Sequence, residues 1–297
     1  MANPIGWCDR TWNPFSGCLP DFPCWDRCWA RRMALRLRGR FGYDQNDPFQ
    51  PTFHGGLKDP QHWRKPQRVF TCGMGDVALA GKGLREIFLA IAHAPQHEFV
   101  ILTKRLRMIA DRVHREGGFY PKNLTLGVSV WDQPSADALI PELLRIPAAT
   151  RIVCAEPLLS SLDLTYWLGL AKVGPYDGKS WNEIPIEEAF PVATSLLQGI
   201  ICGAETGPGA RPCHPDWVRS LRDQCQAAGV PFWLKSLGEW MHESQLGSDD
   251  PAPASMMSAG FSSQRIHAWP DYTPSYRVGK RFVGDVLDGK QWKEWYS

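Results

Sequence analysis

Short apolar runs recur along this chain, and each gives way to a polar turn and then to a segment with helical periodicity. The runs fall at Arg68 to Cys72, Glu98 to Leu102, Leu124 to Val128, Arg151 to Cys154, Gln198 to Cys202 and Pro231 to Leu234, and Ile5 to Cys8 predicts an earlier strand. Helical patterns cover 26–39, 84–94, the stretch after Arg105 to about Glu116, 135–145 and 215–228. A strand followed by a helix and another strand builds a parallel sheet, because a parallel neighbour is reached only by a crossover. Six or seven such units predict an α/β fold, a complete or partial TIM-type (β/α) barrel. The rhythm breaks at 164–195, which reads as an insertion, and 44–66 is rich in Pro and Gly and reads as a long loop. From Trp240 onward Pro, Ser, Gly and Trp dominate. The expected organisation is a barrel domain over 1–240 and an irregular C-terminal extension over 241–297 packed on it. No sequence repeat is found.

Composition sets the outer limits. A chain of 297 residues, 43% hydrophobic and 22% charged, buries a sizeable core. A formal net charge of +2 argues neither for nor against a nucleic-acid partner, because a local patch suffices. Nothing approaches the roughly 20 apolar residues of a membrane span, so no membrane partner is expected. Met1 to Gly6 has neither a basic nor an apolar signal region. Nine cysteines, three of them crowded together, fit a reducing compartment with metal-binding or free thiols. The expected location is cytoplasmic.

The polar residues are not scattered. Asp76, Thr103, Lys104, Arg105, Ser129, Glu156, Glu205 and Lys235 all stand at or just past the C-terminal ends of expected strands. That end of a (β/α) barrel carries the active site. The plainer account for any one Lys or Arg is a solvated strand end, but the set as a whole points to a functional mouth.

One stretch is unlike the rest. Between Trp12 and Arg32 stand Cys18, Cys24 and Cys28, with five and then three residues between them. Pro20 and Pro23 keep the loop from being helical throughout. From about Asp26, Trp29, Met33 and Leu37 recur every four residues and predict one buried stripe. Cys24 and Cys28 share a helix face if the helix begins early enough. A closed zinc site takes four ligands and so does an ordinary iron–sulfur cluster. Three thiolates leave one metal corner open. The residues alone leave three readings: a cluster that activates S-adenosylmethionine (SAM), zinc with Cys8 or a histidine as fourth ligand, and unrelated buried thiols.

Further motifs run in one order along the chain: Thr11-Trp-Asn-Pro with Gly17-Cys18, Cys28-Trp-Ala, Gly73-Met-Gly-Asp76, Leu102-Thr-Lys-Arg105 and Gly127-Val-Ser129. They continue with Ala155-Glu-Pro-Leu158, Gly203-Ala-Glu-Thr-Gly207, Ala210-Arg-Pro212, and Gly229-Val-Pro-Phe232 with Lys235. With them the chain, from about 7 to 240, resembles the phage Gp37/Gp68-type family of radical-SAM-like proteins. Its cysteine spacing of five and three departs from that family's six and two. The ring that precedes the third cysteine in the family is Arg27 here, with Trp25 and Trp29 close by.

The resemblance implies a radical SAM enzyme. Cys18, Cys24 and Cys28 are then the ligands of a [4Fe-4S] cluster. Gly73, Gly75 and Asp76 are the expected SAM-binding stretch, two glycines for close backbone approach and one acceptor, with Ser129 as a lesser candidate. Lys104, Glu156, Glu205 and Lys235 are the expected catalytic set. The glutamates accept from ribose or substrate, and the lysines, with Arg105, suit an anionic group. The expected reaction is isomerisation of a glycyl-type adduct on thymidine during phage DNA hypermodification, with modified DNA as substrate, an electron donor as partner and the host cytoplasm as location. Other radical chemistry, on a nucleotide, peptide or DNA lesion, and a non-catalytic zinc or iron–sulfur DNA-binding protein are the alternatives. Helix 26–40 carries Arg31, Arg32, Arg36, Arg38 and Arg40, which form either a solvated face or a phosphate-backbone contact.

Overall fold

The computed structural model describes residues 5–170, 197–246 and 265–296. Its centre is a curled, parallel, seven-stranded sheet flanked by helices. The first strand, β1 (Arg10–Trp12), is followed by two short strands, β2 (Phe15–Ser16) and β3 (Thr52–Phe53), which pair with each other. Helix α1 (Trp29–Arg36) lies between β2 and β3. Strand β4 (Arg68–Thr71), helix α2 (Gly83–Ala92), β5 (Glu98–Thr103), α3 (Leu106–Arg115), β6 (Leu124–Val130), α4 (Gln133–Leu144) and β7 (Thr150–Ala155) then alternate. Strand β8 (Gly199–Gly203), α5 (Pro215–Ala228) and β9 (Phe232–Ser236) complete the series. The sheet order is β1-β4-β5-β6-β7-β8-β9, and every neighbouring pair is parallel. That is the sheet the alternating pattern predicts, curled into part of a barrel.

Side-chain parity sorts this sheet into two cores. Successive strand residues face opposite sides. Phe99, Ile101, Val153, Ile200, Phe232 and Leu234 pack outward against helix residues such as Ile87, Ile109, Ile140 and Leu221. The residues between them, Val100, Ile152, Cys154 and Ile201, join Trp7 and Cys8 in a separate inner cluster. Strands covered on both sides read as continuous apolar runs, which is why the pattern in the sequence is so plain.

Four boundaries differ from expectation. The first strand is Arg10–Trp12, not Ile5 to Cys8. Trp7 and Cys8 instead fill the inner core, beside Phe70 and Trp295. Helix α1 begins only at Trp29, so Cys28 is its N-cap and Cys24 lies outside it. Its buried residues are Ala30 and Ala34, whereas Trp29 is 41% exposed. Met33 and Leu37 of the expected stripe pack against the same cluster, so the buried face is centred on the small alanines and only Trp29 is left outside it. Finally, the C-terminal extension has regular structure. Strands β10 (Trp240–His242), β11 (Ile266–Ala268) and β12 (Pro274–Arg277) form an antiparallel sheet in the order β10-β12-β11. A short helix, α6 (Lys280–Val283), precedes a hairpin of β13 (Val286–Leu287) and β14 (Lys290–Gln291). Most of the expected insertion, 171–195, lies outside the described residues.

The last residues close the inner core. Lys293 bridges to Trp233 of β9. Trp295 stacks on Trp7 at 5.8 Å between ring centres, and Arg68 lies 3.9 Å over its face. The Tyr296 hydroxyl donates to Glu98 and shares a 2.7 Å hydrogen bond with Thr125 Oγ1. Trp295→Ala should lower stability by about 2 kcal/mol, somewhat under the cost of removing a fully buried tryptophan. A urea-denaturation midpoint that stays unchanged would show that the tail does not brace the barrel.

Candidate active site at the strand ends

The inward parity continues past the strand ends. Leu102, Cys154 and Trp233 belong to the inner cluster, so Lys104, Glu156 and Lys235, two residues further on, follow them on the same face. Lys235 and Glu156 form an ion pair there, side chains 19% and 22% exposed. Gly203 makes room for it: a Cβ at that position would lie 3.3 Å from the Glu156 carboxyl carbon. Burial pulls the Lys235 pKa down, but the charge and hydrogen bond of Glu156, with Cys154 and Cys8 nearby, carry it above the ordinary lysine value. Lys104 lies within electrostatic reach of Cys154, and among the described residues it forms no ion pair. Ser129, also on the inward register of β6, is buried.

The cysteine loop is laid over this mouth by backbone and charge together. Gly17 N–H donates to Met74 O at 3.0 Å, and Asp76 N–H donates to Gly17 O at 3.0 Å. A Cβ on Gly75 would stand 2.5 Å from both Gly17 N and Gly17 O, so only glycine permits the approach. Asn13 Oδ1 accepts from Met74 N–H at 3.1 Å. The close approach at Gly75 is thus made by the chain itself, and Gly73 faces the Phe70 ring.

Arg105 is the joint. Its side chain is 7% exposed. It donates to Asp76 Oδ2 at 2.8 Å, Asp21 Oδ2 at 2.8 Å, Leu19 O at 3.2 Å and Cys18 Sγ at 3.4 Å. Asp76 also accepts from Thr103 Oγ1 at 2.6 Å, Ala78 N–H at 3.2 Å and Lys104 N–H at 3.4 Å. Burial alone would weaken the hold of Arg105 on its proton; Asp21, Asp76 and Cys18 more than offset this and its pKa rises. Burial, reinforced by Asp76, also raises the Cys18 thiol pKa against the opposing pull of Arg105.

A second arginine set holds the other side. Glu205 accepts from the Arg211 backbone N–H at 2.9 Å and from its Nε at 2.9 Å, and Nη2 closes the fork. Cys24 lies within the field of Arg211. Arg27 Nε donates to Gly209 O at 2.6 Å and Arg32 Nη2 to Thr206 O at 2.8 Å, so the cysteine loop and α1 are sewn to the turn after β8.

The structure therefore brings Lys104, Glu156 and Lys235 onto one inward face. It gives Asp76 and Glu205 to arginines as partners. Cys18 and Cys28 pack on a small cluster of Ala30, Ala34, Phe49 and Met74. All three loop thiols are reduced and half-buried, while the other six, including Cys8, are sealed in the interior. Among the described residues no three His, Cys, Asp or Glu side chains are gathered closely enough to hold a metal ion. In kind the loop donors suit a metal centre with one open corner: three half-buried sulfurs with no fourth thiol among them, two of them beside cations, Arg105 at Cys18 and Arg211 at Cys24. Arg211 and Asp21 are functional neighbours that the strand-end pattern does not reveal, since both sit in loops.

The sequence profile of a family described as protein of unknown function (DUF5131) matches residues 2–296. No curated protein and no solved structure matches the chain.

Two outcomes follow from this geometry. Arg105→Met leaves Asp76 buried and unpaired and should cost about 3 kcal/mol, with Arg105→Lys recovering only part, because an ammonium cannot span the same fork. Equal urea midpoints for wild type and Arg105→Met would remove the joint. Glu156→Gln removes the main opposition to burial at Lys235, leaving only the weaker influence of Cys154 and Cys8, so the lysine pKa should fall from its raised value. Reductive-methylation rates at Lys235 read by mass spectrometry across pH would detect this, and an unmoved profile would contradict it. The sign for stability is the same argument: a raised lysine pKa stabilises the fold at neutral pH and ceases to do so as pH climbs past 10.5.

Proposed function

The chain belongs to the DUF5131 family, and we propose that it is a radical SAM enzyme built on a partial TIM-type barrel. The observation that carries the reading is positional. A loop with three reduced, half-buried thiols is fastened over the C-terminal rim of a parallel sheet, at the mouth where Lys104, Glu156 and Lys235 converge. Three thiols rather than four, beside charged strand ends rather than in a sealed core, suit a centre that binds a ligand.

Cys18, Cys24 and Cys28 would hold a [4Fe-4S] cluster. With SAM bound, that group supplies a 5′-deoxyadenosyl radical that abstracts hydrogen from an unactivated carbon. Metal binding and loop ordering are coupled, so the loop would tighten around its ligand. Arg105 and Arg211 place positive charge beside Cys18 and Cys24, where a bound anionic centre would need it; at Cys18 Arg105 only partly offsets the upward push of burial. Glu156 and Lys235 present an acceptor and a donor at the inward face, and Lys104 offers a cation to a carboxylate or phosphate. The backbone of Gly73 to Asp76 and the Ser129 hydroxyl edge the same mouth.

For substrate, the reading is modified DNA carrying an amino-acid adduct on thymidine, isomerised from a nitrogen-linked to a carbon-linked form. An extruded base suits a mouth of this kind. An electron donor completes the partners. Among the described residues no helix is long and apolar enough to cross a membrane.

Anaerobic reconstitution with iron and sulfide, followed by SAM and a reductant, should yield 5′-deoxyadenosine. The yield should vanish in Cys18→Ala, Cys24→Ala and Cys28→Ala. Zinc bound without sulfide, with no SAM cleavage, would overturn the proposal.

A further inference from the structure

The stretch from Arg27 to Tyr43 contains six arginines and no Asp or Glu. Two of the six are used inside the protein, Arg27 and Arg32, on backbone carbonyls. Arg31, Arg36, Arg38 and Arg40 form no ion pair among the described residues. Arg31 lies 5.3 Å over the Trp25 ring, and Arg40 donates to Arg36 O. Elsewhere Arg68, Arg112, Arg219 and Arg222 each meet a carboxylate. Four uncompensated guanidiniums on one short helix and its following turn are a local excess in a chain with a formal net charge of only +2.

Apolar rings stand among them. Trp29 is 41% exposed and Phe41 80% exposed. Both present large ring surface to water. The helix is otherwise anchored by Ala30 and Ala34, so the arginines face outward on a rigid support. Its N-cap is Cys28, so the patch begins at the edge of the candidate site.

We propose that this face, Arg31, Arg36, Arg38 and Arg40 with Trp29 and Phe41, docks a single-stranded segment of DNA beside the mouth. Guanidiniums without carboxylate partners take phosphates. Exposed rings take unstacked bases, which a closed duplex does not offer. A lipid surface matches less well, because the helix spends its compact apolar side on its own core and sets only scattered apolar groups outward. The inference rests on the nucleic-acid reading of the substrate but not on the radical chemistry.

The test is fluorescence anisotropy of the full chain with a labelled single-stranded oligodeoxynucleotide, its duplex, and phosphatidylserine vesicles, at several salt concentrations. The wild type should bind the single strand best. Arg36→Gln/Arg38→Gln/Arg40→Gln, all exposed positions, should weaken it at least about tenfold and reduce the salt slope by about 2, as loss of three phosphate contacts requires. Phe41→Ala should weaken single-strand binding while leaving the salt slope in place. Circular dichroism and the denaturation midpoint confirm that the variants fold. No oligonucleotide binding at low salt, a triple variant indistinguishable from wild type, a preference for duplex, or binding to vesicles alone would each overturn the proposal. A protein that binds DNA through this face yet yields no 5′-deoxyadenosine would support the docking face and tell against the reaction alone.

Discussion

A guanidinium taken out of water must be paired almost completely, or its burial destabilises the fold. Arg105 meets that demand with groups from two places. Asp76 comes from the turn after β4, while Asp21, Leu19 and Cys18 come from the cysteine loop. Arg105 itself starts α3 at the end of β5. The requirement runs both ways, since Asp76 is equally buried and equally in need of donors. Satisfying one arginine therefore fixes where the loop crosses the sheet. The glycine contact between Gly17 and Gly75 sets how closely it crosses. The apolar cluster beneath α1 is small, so charge and backbone, more than packing, place the three thiols.

The βα rhythm was legible because each strand is covered on both sides and each outer helix shows its own apolar stripe. Such periodicity is local, and it survived into the structure at β4 to β9 within a residue or two. The rim residues were legible for a related reason: parallel strands put all their C-terminal ends on one side. Other features depend on partners far away in sequence. Asp76 meets Arg105 across 29 positions, Trp295 meets Trp7 at the opposite end of the chain, and Tyr296 meets Glu98. No window of sequence contains both members of such a pair. Ile5 to Cys8 was misplaced because apolar residues that plug an inner core resemble a strand as long as the plug is not in view. Trp29 was misplaced because alanine, not tryptophan, is the residue that permits close helix packing. The extension past Trp240 looked irregular since its strands are only three or four residues long, too short to display an alternation.

Burial separates six interior cysteines from the three half-buried ones of the loop, and it raises the thiol pKa of Cys18 in the loop as well. Desolvation pushes the Cys8, Cys154 and Cys213 thiols up to about 12, and raises Cys72, Cys202 and Cys225 as well. At neutral pH those six are protonated, and a protonated thiol is neither a nucleophile nor a metal ligand. Their function is space-filling, as with any small hydrophobe. The three that remain share one loop, and that loop crosses the strand ends where the sheet gathers its charges. The interior thiols are packed under both faces of the sheet, whereas the three of the loop stay half-buried at the rim where Lys235 pairs with Glu156, so access and not cysteine number separates the two sets.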